Sequence, residues 1–135
     1  MKIDITTSPS NKDIDFLSDR LKEESIEFGP VSSFGLFMKD ENDKIIAGCN
    51  GYILFGGIYT DQLWVDPRYR MSGIGSRIIA KVEEHGRENS CKVSTLTTMS
   101  FQNARGFYEK LGYTVDFERH GYNMNSSMIF LRKIL

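Results

Sequence analysis

Apolar and polar positions change period several times along the chain, and each change marks an element. Lys2-Ile3-Asp4-Ile5 alternates, which predicts a short first strand. Ser8-Pro9-Ser10 then offers a cap residue and a proline suited to a first helical turn. Ile14, Leu17 and Leu21, with Phe28 beyond them, fall on one helical face opposite acids and bases, and Gly29-Pro30 ends the run. Strand-like patterns follow from Val31 to Lys39 and from Ile45 to Phe55, around the polar turn 40–44; after Gly56-Gly57 a third runs from Ile58 to Val65. The middle of the chain thus reads as an antiparallel meander. Ile74, Ile78, Val82 and His85 share one stripe, which predicts a helix from just beyond Ser76 to Arg87. Lys92 to Thr97 reads as a strand parallel to the previous one, because a helix separates them. Ala104, Phe107, Tyr108 and Leu111 form a last helical face, with Gly112 placed as a left-handed cap. Two closing strands, Tyr113–Glu118 and Ser127–Lys133, flank a polar loop. The expectation is one domain, residues 1–135, of α/β (α+β) class. Its mixed, mostly antiparallel sheet has about seven strands, with helices on both faces.

Composition narrows this little. A chain of 135 residues, 40% hydrophobic and 26% charged, suits one globular core. The net charge of −1, without a basic-aromatic stripe, argues against nucleic acid as a partner. No apolar run is long enough to span a membrane and the start lacks a signal-peptide core, so a cytoplasmic location without membrane attachment is expected. Charge is uneven: residues 1–30 hold four Lys/Arg against seven Asp/Glu, and residues 91–135 hold six against three. The basic end suits an anionic cofactor. The acidic helix reads first as a solvated face, and only secondarily as a surface for a cationic substrate. Cys49 and Cys91 are isolated, which predicts buried, reduced thiols, and His85 and His120 are too sparse for a metal site.

The chemistry concentrates in Val65-Asp66-Pro67-Arg68-Tyr69-Arg70-Met71-Ser72-Gly73-Ile74-Gly75-Ser76, between strand and helix. Small residues let a ligand approach the backbone, and a helix start offers free N–H groups to an anion. A Walker A loop is excluded because Gly75 is followed by Ser76-Arg77, and a dinucleotide fingerprint because Ile78 stands where a third small residue belongs. What remains, Arg70-x-x-Gly73-x-Gly75, resembles the glycine motif of the GNAT superfamily of acyl-CoA N-acyltransferases. One strand later, Asn103-Ala104-Arg105-Gly106-Phe107-Tyr108-Glu109-Lys110-Leu111-Gly112-Tyr113 resembles that family's Asn-x-x-x-x-Phe-Tyr-x-Lys-x-Gly-Phe/Tyr segment. The resemblance covers roughly residues 30–135.

The resemblance implies transfer of the acetyl group of acetyl-CoA directly to a primary amine. Pyrophosphate would lie on the backbone of Arg70, Met71, Ser72, Gly73, Ile74, Gly75 and Ser76, with Arg68 close by. Pantetheine would pair with the backbone of Leu63, Trp64 and Val65 as an added strand, and the Val65 N–H could meet the thioester carbonyl. Tyr108 matches the family's general acid, although spacing alone favours simple packing beside Phe107 and Leu111. Asn103 matches a cofactor-bonding position and could also cap the helix. The general base departs from the pattern: Tyr59 stands where the histone-acetyltransferase branch has glutamate. Asp61 is the acidic candidate, two residues along the same strand face; a water chain or an amine arriving neutral are the alternatives. Without that glutamate, a non-catalytic acyl-CoA-binding regulatory module is the rival, and a protein or peptide acceptor stands beside the preferred small molecule. Family habit adds a homodimer, through the last strands.

Overall fold

The computed structural model describes residues 1–135. Helix α1 (Asn11–Glu24) starts at Ser10, whose hydroxyl accepts from the Asp13 N–H, and a 3-10 turn at Ile26–Phe28 follows. Strands β1 (Val31–Lys39), β2 (Ile45–Leu54) and β3 (Gly57–Val65) form the expected meander. Helix α2 (Ile74–Glu88) leads into β4 (Val93–Met99), parallel to β3; short α3 (Arg105–Lys110) leads into β5 (Thr114–Arg119) and β6 (Met128–Ile134). One six-stranded sheet results, in the order β1-β2-β3-β4-β6-β5.

The strand expected at Lys2–Ile5 does not form, so the sheet has six strands and not seven. Alternation needs a sheet edge to pair with, and Ile3 and Ile5 meet only solvent. Helix α2 begins at Ile74, four residues before the expected apolar start at Ile78, because Gly73 caps it in the left-handed conformation (φ 82°). Both α2 and α3 pack on one face of the sheet. Ile74, Ile78 and Val82 bury against Ala47, Cys49, Ile53 and Ile58, while Ile79 and Tyr108 join Leu96, Ile129 and Leu131. Helix α1 buries no residue.

Candidate active site

The site is a fork in the sheet. β3 and β4 pair only over Gly57–Thr60 and Val93–Leu96. Beyond Thr60, β3 continues to Val65 against β2 alone, and β4 continues to Met99 against β6 alone. Strand alternation fixes which backbone groups face the gap. The Asp66 N–H donates to Ile46 O and Trp64 lies opposite Gly48, so Trp64 turns its backbone to β2. Leu63 and Val65 therefore point theirs into the fork. Of the three residues expected to offer a free edge, Trp64 is not available.

The anion cradle follows a tight turn in which the Asp66 N–H donates to Ile46 O, that of Tyr69 to Asp66 O and that of Arg70 to Pro67 O, so Arg70, expected in the cradle, has no free backbone N–H to offer. None of the N–H groups from Met71 to Ser76 donates to another backbone carbonyl, and the helix hydrogen bonds resume with Arg77 N–H to Gly73 O. Six consecutive free donors at a helix N-terminus make the arrangement an anion needs. A Cβ at Gly75 would lie 3.1 Å from the Phe107 ring, so any larger residue requires that ring to give way. The two arginines are engaged locally. Arg68 grips Asp66 through Nε (3.2 Å) and Nη2 (2.8 Å), which pushes the Asp66 carboxyl down to about 2. Arg70 donates from Nε to Val65 O at 2.9 Å, tying the cradle to the strand end.

Tyr108 lies at the fork, in the same cluster as Leu96 and beside Leu63. It is 7% exposed, and its hydroxyl makes no hydrogen bond within the chain. Burial, with a smaller contribution from Cys49, pushes the phenol up to about 12, so it is a protonated donor at neutral pH. Thr60, at the last paired row, has the chain's one fully buried side-chain oxygen or nitrogen without a partner. Cys49 is raised to about 11 by burial and Cys91 is also raised, so neither thiol is activated as a nucleophile.

The opposite face of the fork carries the other candidates. Tyr52 and Tyr59 stack with ring centroids 5.4 Å apart, and Tyr59 Oη lies 3.5 Å from Thr97 Oγ1 across the gap. Asp61 sits at a bulge: Gly51 opposes Thr60 and Asn50 opposes Gln62, leaving Asp61 exposed and unopposed. It lies near enough to Tyr52 to help burial raise that phenol. Plain alternation along the strand conceals this bulge. Asn103 does not cap α3. Ala104 holds that position, while Asn103 adopts a left-handed conformation (φ 54°) and donates from Nδ2 to Phe101 O. A groove of about 650 Å³ lies elsewhere, between β1 and α2. It contains no candidate acid or base of the fork.

The sequence also gave no sign of a buried polar network below the fork. Glu83 Oε1 accepts from Lys133 Nζ at 2.8 Å, and Oε2 accepts from Tyr113 Oη, which lies 2.7 Å from Ser94 Oγ. These residues come from α2, β6, the turn after α3, and β4, so only the fold brings them together.

Comparison with known proteins agrees with this geometry. The model of the Acetyltransferase (GNAT) family matches residues 5–113. A blasticidin-S acetyltransferase of Streptomyces morookaense is 35% identical over 89 residues, spanning 65% of this chain and 65% of that protein. A peptidyl-lysine N-acetyltransferase of Salmonella typhimurium is 29% identical over 105 residues, 75% of this chain and 66% of the relative. The chain thus spans just under two thirds of the length of these relatives. A solved structure from Agrobacterium tumefaciens superposes with a TM-score of 0.85 at 21% identity over 100% of both chains, which is agreement in fold. The family match covers the meander, the glycine cradle and the tyrosine helix together, and the chain belongs to the GNAT acetyltransferase family.

Proposed function

We propose that this chain transfers the acetyl group of acetyl-CoA directly to the primary amine of a small, cationic molecule. The observation that carries the reading is a pair of free backbone-donor sets on either side of one tight turn. One set is the fork edge at Leu63 and Val65, the other the unpaired N–H groups from Met71 to Ser76, with the protonated Tyr108 beside the fork. An extended amide arm ending in a pyrophosphate fits that track, with strand-like pairing at one end and an anion site at the other.

The residues divide the work. Met71 to Ser76 hold the phosphates through backbone N–H groups. The Val65 N–H donates to the thioester carbonyl oxygen, where negative charge grows as the amine nitrogen bonds to the carbonyl carbon. Tyr108 gives its proton to the sulfur as the carbon–sulfur bond breaks, releasing a neutral thiol, and its phenol is restored by the second proton that the nitrogen sheds as the amide forms. Asp61 receives the proton that the ammonium must lose, directly or through water. Tyr52, Tyr59 and Asp61 suit a cation through ring faces and a carboxylate. The chemistry of the Streptomyces relative named above, acetylation of a small antibiotic, supports the acceptor class. We place the reaction in the cytoplasm, where the two buried thiols stay reduced.

Thiol release from acetyl-CoA across polyamines, nucleoside antibiotics, aminoglycosides, amino acids and a lysine peptide tests the proposal. Turnover is expected with a small cationic amine and little with the peptide. Acetyl-CoA alone should raise the melting temperature, since it binds only the folded chain. A temperature shift without turnover on any amine would falsify the catalytic reading while keeping the binding site. Absence of both effects removes the track itself.

A further inference from the structure

We infer that α1 of one copy covers the open sheet face of a second copy, and reciprocally, so that the chain forms a helix-exchanged dimer. Within one chain, residues 1–28 belong to nothing. Their hydrogen bonds and ion pairs all stay within residues 1–29, and α1 buries no side chain. Yet Ile14, Leu17 and Leu21 form an apolar stripe, with Leu21 64% exposed. A 14-residue helix is marginal in water unless such a stripe is covered.

The sheet has the complementary deficit. The face turned away from α2 and α3 carries Phe37, Trp64, Phe117 and Ile134, exposed by 61% at Phe37 and 55% at Phe117. The accessible surface, 10087 Å², exceeds the ~7,200 Å² expected of a folded monomer of this mass by roughly 2,900 Å² per chain. Permanent dimers bury about 2,000–5,000 Å² in total, so the excess from two copies is ample. Charge is complementary: residues 1–30 carry a net −3, and the open face carries Arg119 within a C-terminal segment of net +3, while Arg132 on the same face is held by Asp116 at 2.7 Å.

Helix α1 leaves from β1, an edge strand, through Gly29 (φ 107°) and Pro30. Every copy supplies one uncovered helix stripe and one uncovered sheet face, so two copies satisfy each other and close with two-fold symmetry.

Mass by light scattering during size exclusion reads the outcome without acetyl transfer, and so is independent of the proposed activity. The intact chain should run at twice 15.4 kDa. Leu17→Asp/Leu21→Asp should run at the single-chain mass with unchanged near-UV circular dichroism, because those side chains are exposed in their own chain. Phe37→Asp/Phe117→Asp, altering only the receiving face, should also become monomeric. An intact chain of single mass overturns the inference, as does a helix variant that remains dimeric. A sheet variant that remains dimeric while the helix variant does not would mean that the helices pair with each other, and equally overturns it.

Discussion

Tyr108 shows how a residue can be a core side chain and a reagent together. Its ring packs edge-on against Phe107 and Tyr113, at 5.0 and 5.9 Å between centroids, and the same burial raises its phenol to about 12. Its spacing in the sequence reports only the packing; the surrounding motif, not the helical period, marks the hydroxyl. Removing that hydroxyl should spare the fold and lower turnover. Tyr108→Phe is expected to reduce kcat by about a hundredfold, at the low end for a general acid, with acetyl-CoA affinity little changed. Single-turnover kinetics with an isothermal titration separates the two effects; equal kcat removes Tyr108 as the acid. The pH behaviour has a definite sign. The folded phenol titrates above its reference of about 10, so its contribution to stability is complete below pH ~10 and lost as pH rises through about 12. Urea midpoints measured between pH 9 and 12 should fall less steeply in Tyr108→Phe than in the parent. Tyr113, whose phenol burial also raises, accounts for part of the remaining slope.

Among the elements, the β2–β3 bulge best separates what a pattern can reveal from what it cannot. Period-two alternation located both strands within a residue or two, because side-chain direction is written in the sequence. The bulge adds one unopposed residue to one strand, and that is a property of pairing, invisible in either strand alone. The same distinction accounts for α2, whose first turn contains Gly75 and reads as loop until the Gly73 backbone is seen to cap it. Gly51 is what the bulge requires. A Cβ there would come within 1.9 Å of Tyr59 O, against backbone that cannot rotate aside. Gly51→Ala should therefore destabilise the chain by about 3 kcal/mol, the upper end for overpacking. Activity should fall further than the loss of folded protein explains, because Tyr59 and Asp61 move with the strand. Urea denaturation together with specific activity per folded molecule checks both; an unchanged midpoint would show that the bulge does not depend on glycine.

At the scale of the whole molecule, a fork that admits a ligand also divides the sheet. Only four residue pairs, Gly57–Thr60 with Val93–Leu96, join the β1-β2-β3 half to the β4-β6-β5 half. The Glu83 network lies at the closed end of that fork, in the row where Ile58 pairs with Ser94 and Ser94 with Lys133. It ties α2, which packs on the first half, to β4, β6 and the α3–β5 turn of the second. A buried ion pair contributes little net stability against an apolar replacement, but losing one partner leaves the other charge unpaired. Glu83→Gln should accordingly cost about 3 kcal/mol, because Lys133 loses its carboxylate while a neutral amide still receives the Tyr113 hydroxyl. Glu83→Gln/Lys133→Met, which removes the carboxylate and its nearer cation and leaves only the more exposed Arg87, should recover much of that loss. Amide exchange gives the location: in Glu83→Gln it should accelerate at Gly57–Thr60 and Val93–Leu96 more than in the β1–β2 hairpin. If exchange instead rises uniformly over the sheet, the network stabilises the core in general and does not brace the closed end of the fork.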